Sequence, residues 1–167
     1  EGTLDVVLAN IPAGPMPEGL VHEVLFNTRS FVLAGENHPI AKAASTLSLP
    51  EISAAQWALV SEAKGPDVLS YLQQADGFDL SRPALETNSL SLVRTMLLSG
   101  QFLSILAEHW LKDDLEAGRI VRLPVETMPL IRPAGVMMRK EPSRAASVAL
   151  FVDKARAHAA GWSSSSV

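Results

Sequence analysis

Short apolar runs alternate with segments of helical periodicity along most of the chain. Runs rich in Val, Leu and Ile that stop at Gly, Pro or Asn predict buried β-strands, and apolar residues three or four positions apart predict helices. The predicted strands cover residues 4–9, 20–26, 30–34, 57–60, 84–85, 102–106, 120–124 and 131–139. The predicted helices cover residues 65–77, 90–100 and 108–117, and a last helix begins at Ser143 or Ser147.

This order of elements indicates an α/β fold. Strands that alternate with helices of 10 to 12 residues imply right-handed crossovers and a parallel or mixed sheet with helices on both faces. The polar pair Asn27-Thr28 predicts a break between the second and third strands. The serine run that begins at Ser163 predicts a flexible tail.

Composition narrows the class of protein. The chain has 167 residues, of which 47% are hydrophobic, so it can bury an ordinary globular core of one or two domains. Its 14 basic and 18 acidic residues give a net charge of −4, which is the wrong sign for a chain that binds nucleic acid by itself. No apolar run reaches the roughly 20 residues that span a bilayer, and cysteine is absent. We therefore expect a cytoplasmic protein without membrane contact or disulfides.

Catalytic and metal-binding motifs are missing from the sequence. The segment His22-Glu23-Val24-Leu25-Phe26 lacks the second histidine of the zinc motif HExxH. Neither a GxSxG nucleophile elbow, a GxGxxG dinucleotide loop nor a P-loop lysine motif occurs. The sequence thus predicts no enzyme, no cofactor and no metal site.

Polar loops follow three of the predicted strands. They are Asn10–Gly14, Ser61–Gly65 and Thr87–Ser89. In open α/β sheets ligands bind outside the carboxyl ends of strands, where helix N-termini present free N–H groups. Taken singly, each loop is more typical of plain helix capping or turn formation. Their recurrence after successive strands predicts a site for a small polar or anionic molecule.

Several motifs in order resemble one family. The segment Gly2–Leu8 resembles a G-x-L-D-apolar strand, His38-Pro39-Ile40-Ala41 resembles an HPLA element, and a helix over Glu86–Gly100 ends in glycine before a buried strand. Leu47–Ile52 and Gly118–Pro124 fit the same pattern. Over nearly its whole length the chain resembles the effector-binding domain of LysR-type transcriptional regulators.

The resemblance implies a two-lobed fold like that of type 2 periplasmic binding proteins, with mixed sheets. The two crossover strands would lie near residues 28–32 and 129–135. The implied division is a first lobe of residues 1–30 and 130–162, a second lobe of 31–129 and a tail of 163–167. The family has further strands and helices and a DNA-binding domain ahead of the Leu4 strand, so the first lobe is expected to be incomplete and to self-associate. An effector would bind between the lobes of a dimer or tetramer that contacts DNA only through the missing N-terminal domain.

Phe102 departs from the family pattern. Gly100-Gln101-Phe102 stands where the family has G-x-G, so the aromatic ring is expected to narrow or reshape the effector cleft. The surrounding residues are most similar to the branch typified by the galactose-binding-protein regulator, which implies a sugar, a sugar acid or another small carboxylate. The predicted effector contacts are Asn10, Ser61, Thr87, Ser89 and Phe102. A solute-binding protein of a transport system and an enzyme of the same fold, such as a prephenate-dehydratase-like domain, are the alternatives.

Overall fold

The structure, a computed structural model, describes residues 4–12, 14–42, 45–60, 78, 83–126, 128–140 and 146–163. Ser61 and the predicted helix over 65–77 lie outside these residues. The chain divides into two compact units. Unit 1 combines the residues up to Thr28 with those from Ile131 onward, and unit 2 runs from Arg29 to Leu130. The strands and helices form a mixed α/β fold, as the sequence predicts.

Unit 1 is a small sheet covered by one long helix. Strand β1 (Val6–Asn10) pairs antiparallel with β7 (Leu130–Arg139), so that Asn10 lies opposite Ala134. β7 is hydrogen-bonded in turn to β2 (Leu20–Gly35), and helix α4 (Ala146–Ser163) packs on the sheet. The core consists of Val136, Met138 and Val152, with Val6, Val21, Leu25, Val148 and Ala155 partly buried around them. Val148, Val152 and Ala155 therefore form the face of α4 that packs on the sheet.

Strand β2 corrects the sequence prediction of two strands with a break at Asn27-Thr28. It is one strand of 16 residues. Asn27 is exposed, and the buried Thr28 hydroxyl reaches two oxygen acceptors, so neither polar side chain interrupts the backbone. Because β2 runs from unit 1 into unit 2, its second half contributes to a different core from its first half.

Unit 2 is built around a mixed sheet. The second half of β2 pairs antiparallel with β5 (Phe102–Ala107) and β6 (Ile120–Arg122), while β3 (Gln56–Val60) pairs parallel with β5 and β4 (Leu85–Thr87). Its helices are α1 (Leu49–Ser53), α2 (Leu90–Leu98) and α3 (Lys112–Glu116).

The two faces of the unit 2 sheet bury separate apolar clusters. Leu33, Val93 and Leu97 join the sheet to α2 on one face. On the other face Trp57 is fully buried against Ile52, and its indole Nε1 donates to the Ile52 carbonyl at 3.0 Å. A closed core on both faces of a sheet is what an α/β unit needs to be stable by itself.

The segment over 108–117 differs from the single predicted helix. It is a 3-10 helix over Glu108–Leu111 followed by α3. Two short elements were also not predicted, namely the 3-10 helix Pro39–Lys42 and α1. Ser48 precedes α1, and its backbone N–H and hydroxyl donate to the Glu51 carboxylate at 2.8 and 2.7 Å. This arrangement of a serine and a glutamate three residues later is a helix-start signal that the sequence carried.

Candidate functional site

Two predicted effector contacts lie where β4 leads into α2. The Thr87 hydroxyl oxygen accepts from the backbone N–H of Ser89 at 3.1 Å, and the Ser89 hydroxyl oxygen accepts from the N–H of Leu92 at 3.3 Å. Ser89 is therefore the N-cap of α2, and Thr87 closes the turn before it. Both side chains are partly exposed. Each hydroxyl is used here as an acceptor, which leaves its proton available for donation to a ligand.

Phe102 lies at the start of β5 in unit 2. Its partly buried ring packs against the apolar cluster that contains Val93 and Leu97 of α2. In the parallel pairing of β3 with β5, Phe102 lies opposite Gln56. The aromatic side chain in place of a glycine thus fills space beside the helix that Ser89 caps.

Asn10 lies at the end of β1 in unit 1. Its side-chain Oδ1 is 3.2 Å from the Thr28 hydroxyl, which is also 3.2 Å from the backbone carbonyl of Arg132. The threonine hydroxyl has one proton to donate, so Asn10 Oδ1 and the Arg132 carbonyl oxygen compete for it. With Oδ1 facing Thr28, the Asn10 amide directs its two N–H donors elsewhere.

Arg132 completes this polar cluster, and sequence reasoning missed it. The residue is only 9% exposed, and its buried Nε has no hydrogen-bond partner among the residues that the structure describes. It shares a face of β7 with Ala134, Val136 and Met138, which alternate with it along the strand. Because Asn10 lies opposite Ala134, its side chain is on that face as well. The alternation of Arg132 with Ala134, Val136 and Met138 is visible in the sequence, but alternation alone does not show which face of the strand is buried.

The carboxylate of Asp114 organises the charged residues of unit 2. Arg94 donates to it through Nη2 at 2.8 Å, and Arg119 donates through Nε at 2.8 Å. The Asp114 side chain is 4% exposed, whereas the two arginines are about half exposed. Hydrogen bonds from Arg94, followed by those from Arg119, hold the pKa of Asp114 below its ordinary value in spite of its burial. These ion pairs connect α2 to α3 and to the residue before β6. We therefore assign the Asp114 network a structural role.

His38 has a structural role in the HPIA segment. Its Nδ1 accepts from the backbone N–H of Ile40 at 3.2 Å, and the His38 carbonyl accepts from Ala41 at 2.9 Å. Burial lowers the pKa of His38, which favours the neutral ring that this acceptor role requires. In this chain the histidine thus caps the 3-10 helix Pro39–Lys42.

Within residues 4–12, 14–42, 45–60, 78, 83–126, 128–140 and 146–163, no group of three or more His, Asp or Glu side chains is placed to hold a metal ion. In the same ranges, none of the helices combines the length and apolar character needed to cross a bilayer.

The fold of this chain is shared with several solved structures. The regulatory domain of CcmR from Synechocystis PCC6803, solved in complex with 2-PG, superposes with a TM-score of 0.78 at 18% identity, covering 93% of this chain and 73% of that one. HinK, a LysR family transcriptional regulator from Pseudomonas aeruginosa, superposes with a TM-score of 0.72 at 19% identity, covering 95% of this chain and 53% of that one. The fold is that of the type 2 periplasmic-binding-protein-like domains.

The LysR substrate binding domain family matches residues 1–160, and the chain belongs to that family. HTH-type transcriptional regulator GalR of Pseudomonas putida is 29% identical over 140 residues, which are 83% of this chain and 34% of that protein. HTH-type transcriptional regulator YdcI of Escherichia coli is 24% identical over 158 residues, which are 93% of this chain and 50% of that protein. The chain thus spans between a third and a half of the length of these relatives. The resemblance to LysR-type regulators seen in the sequence is confirmed.

Proposed function

We propose that this chain is the effector-sensing part of a bacterial LysR-type transcription factor. The observation that carries the proposal is the family match over residues 1–160, in a chain whose relatives are HTH-type regulators. The whole protein would be cytoplasmic and would bind DNA as a dimer or tetramer through a helix-turn-helix domain outside this sequence. The net charge of −4 supports this division of labour, because a chain of that charge has no electrostatic attraction to a phosphate backbone.

The effector acts by changing a conformational equilibrium. A ligand shifts such an equilibrium only by the difference between its affinities for the two states. We infer that the effector binds one conformation of the domain more tightly than another and so changes their populations. No chemical step is needed, so the domain is proposed to act by binding alone.

The proposed effector contacts are Asn10 in unit 1 and Thr87, Ser89, Ser61 and Phe102 in unit 2. Thr87 and Ser89 have hydroxyl protons to donate, and they flank the N-terminus of α2, where the helix dipole favours negative or polar groups. The ring of Phe102 supplies an apolar surface beside the same helix. A small molecule with oxygen acceptors, such as a sugar, a sugar acid or another small carboxylate, suits these donors.

Calorimetric titration of the full-length protein with a panel of sugars and sugar acids tests the contacts. Thr87→Val and Ser61→Ala remove hydroxyls, and each is expected to weaken the best ligand about tenfold, the value of one lost hydrogen bond in a desolvated site. Thr87→Ser keeps the hydroxyl and is the matched control, with nearly unchanged affinity. Equal affinity in Thr87→Val, Ser61→Ala and wild type would rule out this placement of the effector.

A further inference from the structure

We propose that Arg132 is an oxyanion-binding residue and that the effector carries a carboxylate or phosphate group that pairs with its guanidinium. The inference rests on the proposed function, because it assigns a chemical class to the effector. It concerns unit 1 alone, where Arg132, Asn10 and Thr28 lie together.

The described arginines differ in a way that singles out Arg132. Four of them, which are only half-buried or exposed, have carboxylate partners: Arg94 and Arg119 bind Asp114, Arg122 binds Glu108, and Arg156 binds Glu23 and Asp153. Arg132 is the one that is more than nine-tenths buried, and within the described ranges no carboxylate forms an ion pair with it. Arg29 and Arg139 also lack a carboxylate partner among the described residues, but both are exposed to water. Arg132 is therefore the described arginine whose charge is buried without a counter-ion.

The cost of this arrangement indicates that a partner is supplied from outside the described residues. A guanidinium keeps its charge at every physiological pH, so it cannot escape burial by losing a proton. Taking an unpaired charge out of water costs several kcal/mol, and a buried N–H without an acceptor adds to that cost. A bound anion removes both penalties, since a carboxylate or phosphate accepts two parallel hydrogen bonds from the guanidinium fork.

The surroundings of Arg132 are suited to an anion and not to an internal ion pair. The described carboxylates of unit 1 lie elsewhere. Glu23 and Asp153 are bound by Arg156, and Asp5 precedes β1 at the end opposite Asn10. Glu18 is next to Gly19, whose carbonyl accepts from Lys140 beyond the far end of β7 from Arg132. Five residues of extended strand separate Asp5 from Asn10 by about 16 Å. Asn10, with its Oδ1 turned to Thr28, presents amide donors on the same face of the sheet as Arg132.

This cluster decides between the effector classes that the polar loops leave open. A neutral sugar offers hydroxyl acceptors but leaves the charge of Arg132 without a counter-ion. A sugar acid, a small carboxylate or a phosphorylated metabolite supplies that counter-ion. The fork geometry favours such oxyanions over chloride, which cannot accept two parallel bonds in one plane.

Anion titration of the full-length protein tests the inference without knowledge of the natural effector. Phosphate and acetate are added at constant ionic strength, with chloride as the balancing salt, and the melting temperature is recorded. Wild type is expected to show a saturable rise with phosphate or acetate. Arg132→Met should lose it, and Arg132→Lys should need at least about tenfold more anion, because the charge remains but the fork is lost.

Arg139→Met is the matched control, because Arg139 is an exposed arginine of the same strand and its loss should leave the saturable rise intact. If phosphate and acetate both fail to stabilise wild type beyond chloride, or if Arg132→Met keeps the full response, the inference is wrong. A neutral sugar that binds wild type and Arg132→Met equally would also overturn it, while the proposed effector-sensing function would stand. If an anion binds wild type through Arg132 but does not change its DNA affinity, the proposed function is wrong and the anion site stands.

Discussion

Units 1 and 2 differ in how completely they bury their apolar side chains. In unit 2, Val32, Trp57, Val93 and Leu97 have no exposed surface and belong to two clusters on opposite faces of the sheet. The described residues of unit 1 form a single, smaller cluster. Of the large apolar residues that the structure describes as exposed, only Leu92 and Trp110 belong to unit 2, and the rest belong to unit 1: Leu4, Val7, Leu8, Leu20, Val24, Ile131, Leu150 and Phe151.

The position of β1 adds to this difference. Among the described strands, β1 is the outer strand of the sheet and pairs with β7 alone. An outer strand with apolar side chains on both faces is a template for association with another chain or another segment. We therefore expect unit 2 to be stable through its own core and unit 1 to gain stability when another chain or segment covers β1 and α4.

The largest effect is expected at a glycine inside the unit 2 core. A methyl group at Gly35 would meet the backbone carbonyl of Leu97, and one at Gly135 of unit 1 would meet that of Glu23. Gly35→Ala should lower the free energy of unfolding by about 3 kcal/mol. Val93 and Leu97 are fully buried against the sheet, so α2 cannot move away from the added methyl group without disturbing the core. Gly135→Ala would also bring its methyl group against backbone atoms of Glu23 and Val24, and it should cost somewhat less, about 2 kcal/mol, because fewer side chains are fully buried in unit 1.

Urea denaturation measures both glycine variants, with Gly161→Ala as the control. An added methyl group at Gly161 in α4 meets open space, so that variant should be neutral or slightly more stable. If Gly135→Ala lowers the free energy of unfolding more than Gly35→Ala does, the core of unit 2 is not the more tightly packed of the two.

The Asp114 network should account for the next largest effect. Asp114→Asn removes the charge that Arg94 and Arg119 share, and we expect a loss of about 2 kcal/mol in the free energy of unfolding. Asp113→Asn changes an exposed neighbour in the same helix and should alter stability by less than about 0.5 kcal/mol. Similar denaturation midpoints for the two variants would show that the network does not brace unit 2.

A third prediction concerns association through unit 1. We expect the chain to form dimers or larger species, and Leu8→Lys to weaken them by about 2 kcal/mol, or roughly thirtyfold, because a half-exposed leucine of β1 becomes charged. Leu92→Lys makes the same change on unit 2 and should leave association unaltered. Light scattering after size-exclusion chromatography distinguishes the two, and a monomeric wild-type chain would contradict the prediction.

The smallest effect is a pH dependence from His38. Burial lowers the pKa of His38 in the folded chain, so the unfolded chain takes up a proton that the folded chain resists. Stability is therefore complete above the ordinary histidine pKa of about 6.5 and declines as the pH falls below it. The pKa of Asp114 is also lowered, but that carboxylate titrates at a pH below this range.

The variant His38→Asn keeps a side-chain acceptor for the N–H of Ile40 without a titrating ring. Its melting temperature should change less between pH 7 and pH 5 than that of wild type. Burial also lowers the pKa of His109, so His109→Asn serves as a comparison that should retain the part of the pH dependence due to His38. An identical pH profile for wild type and His38→Asn would remove His38 as its source.

Much of the fold was predictable from local pattern. Apolar runs bounded by Gly and Pro identify the strands, and Ser89 was among the predicted caps for α2 and is its N-cap. The break at Asn27-Thr28 was wrong because local propensity does not reveal acceptors such as Asn10 Oδ1, which lies 18 residues away in the chain. The split of the helix over 108–117 was missed because apolar spacing does not distinguish a 3-10 turn from an α-helical turn.

The candidate site was less predictable. Asn10, Thr87 and Ser89 were found because polar residues after strands are visible in the sequence, and their contacts to an effector stay a prediction. Arg132 was missed because a single arginine in a predicted strand is usually on the solvent face. Its burial becomes apparent only when the alternation with Ala134, Val136 and Met138 is combined with the position of α4.

The central claim is that an anionic effector acting on this domain controls DNA binding by the whole protein. Fluorescence anisotropy of the full-length protein on DNA from upstream of its own gene, with D-galactose, D-galactonate or D-galactose 1-phosphate added, tests it most directly. We predict that the acid or the phosphate changes the DNA affinity at least about fivefold, the lower range of allosteric coupling, and that the neutral sugar does not. A DNA affinity that none of these compounds, nor a wider panel of small carboxylates and phosphates, alters would contradict the claim.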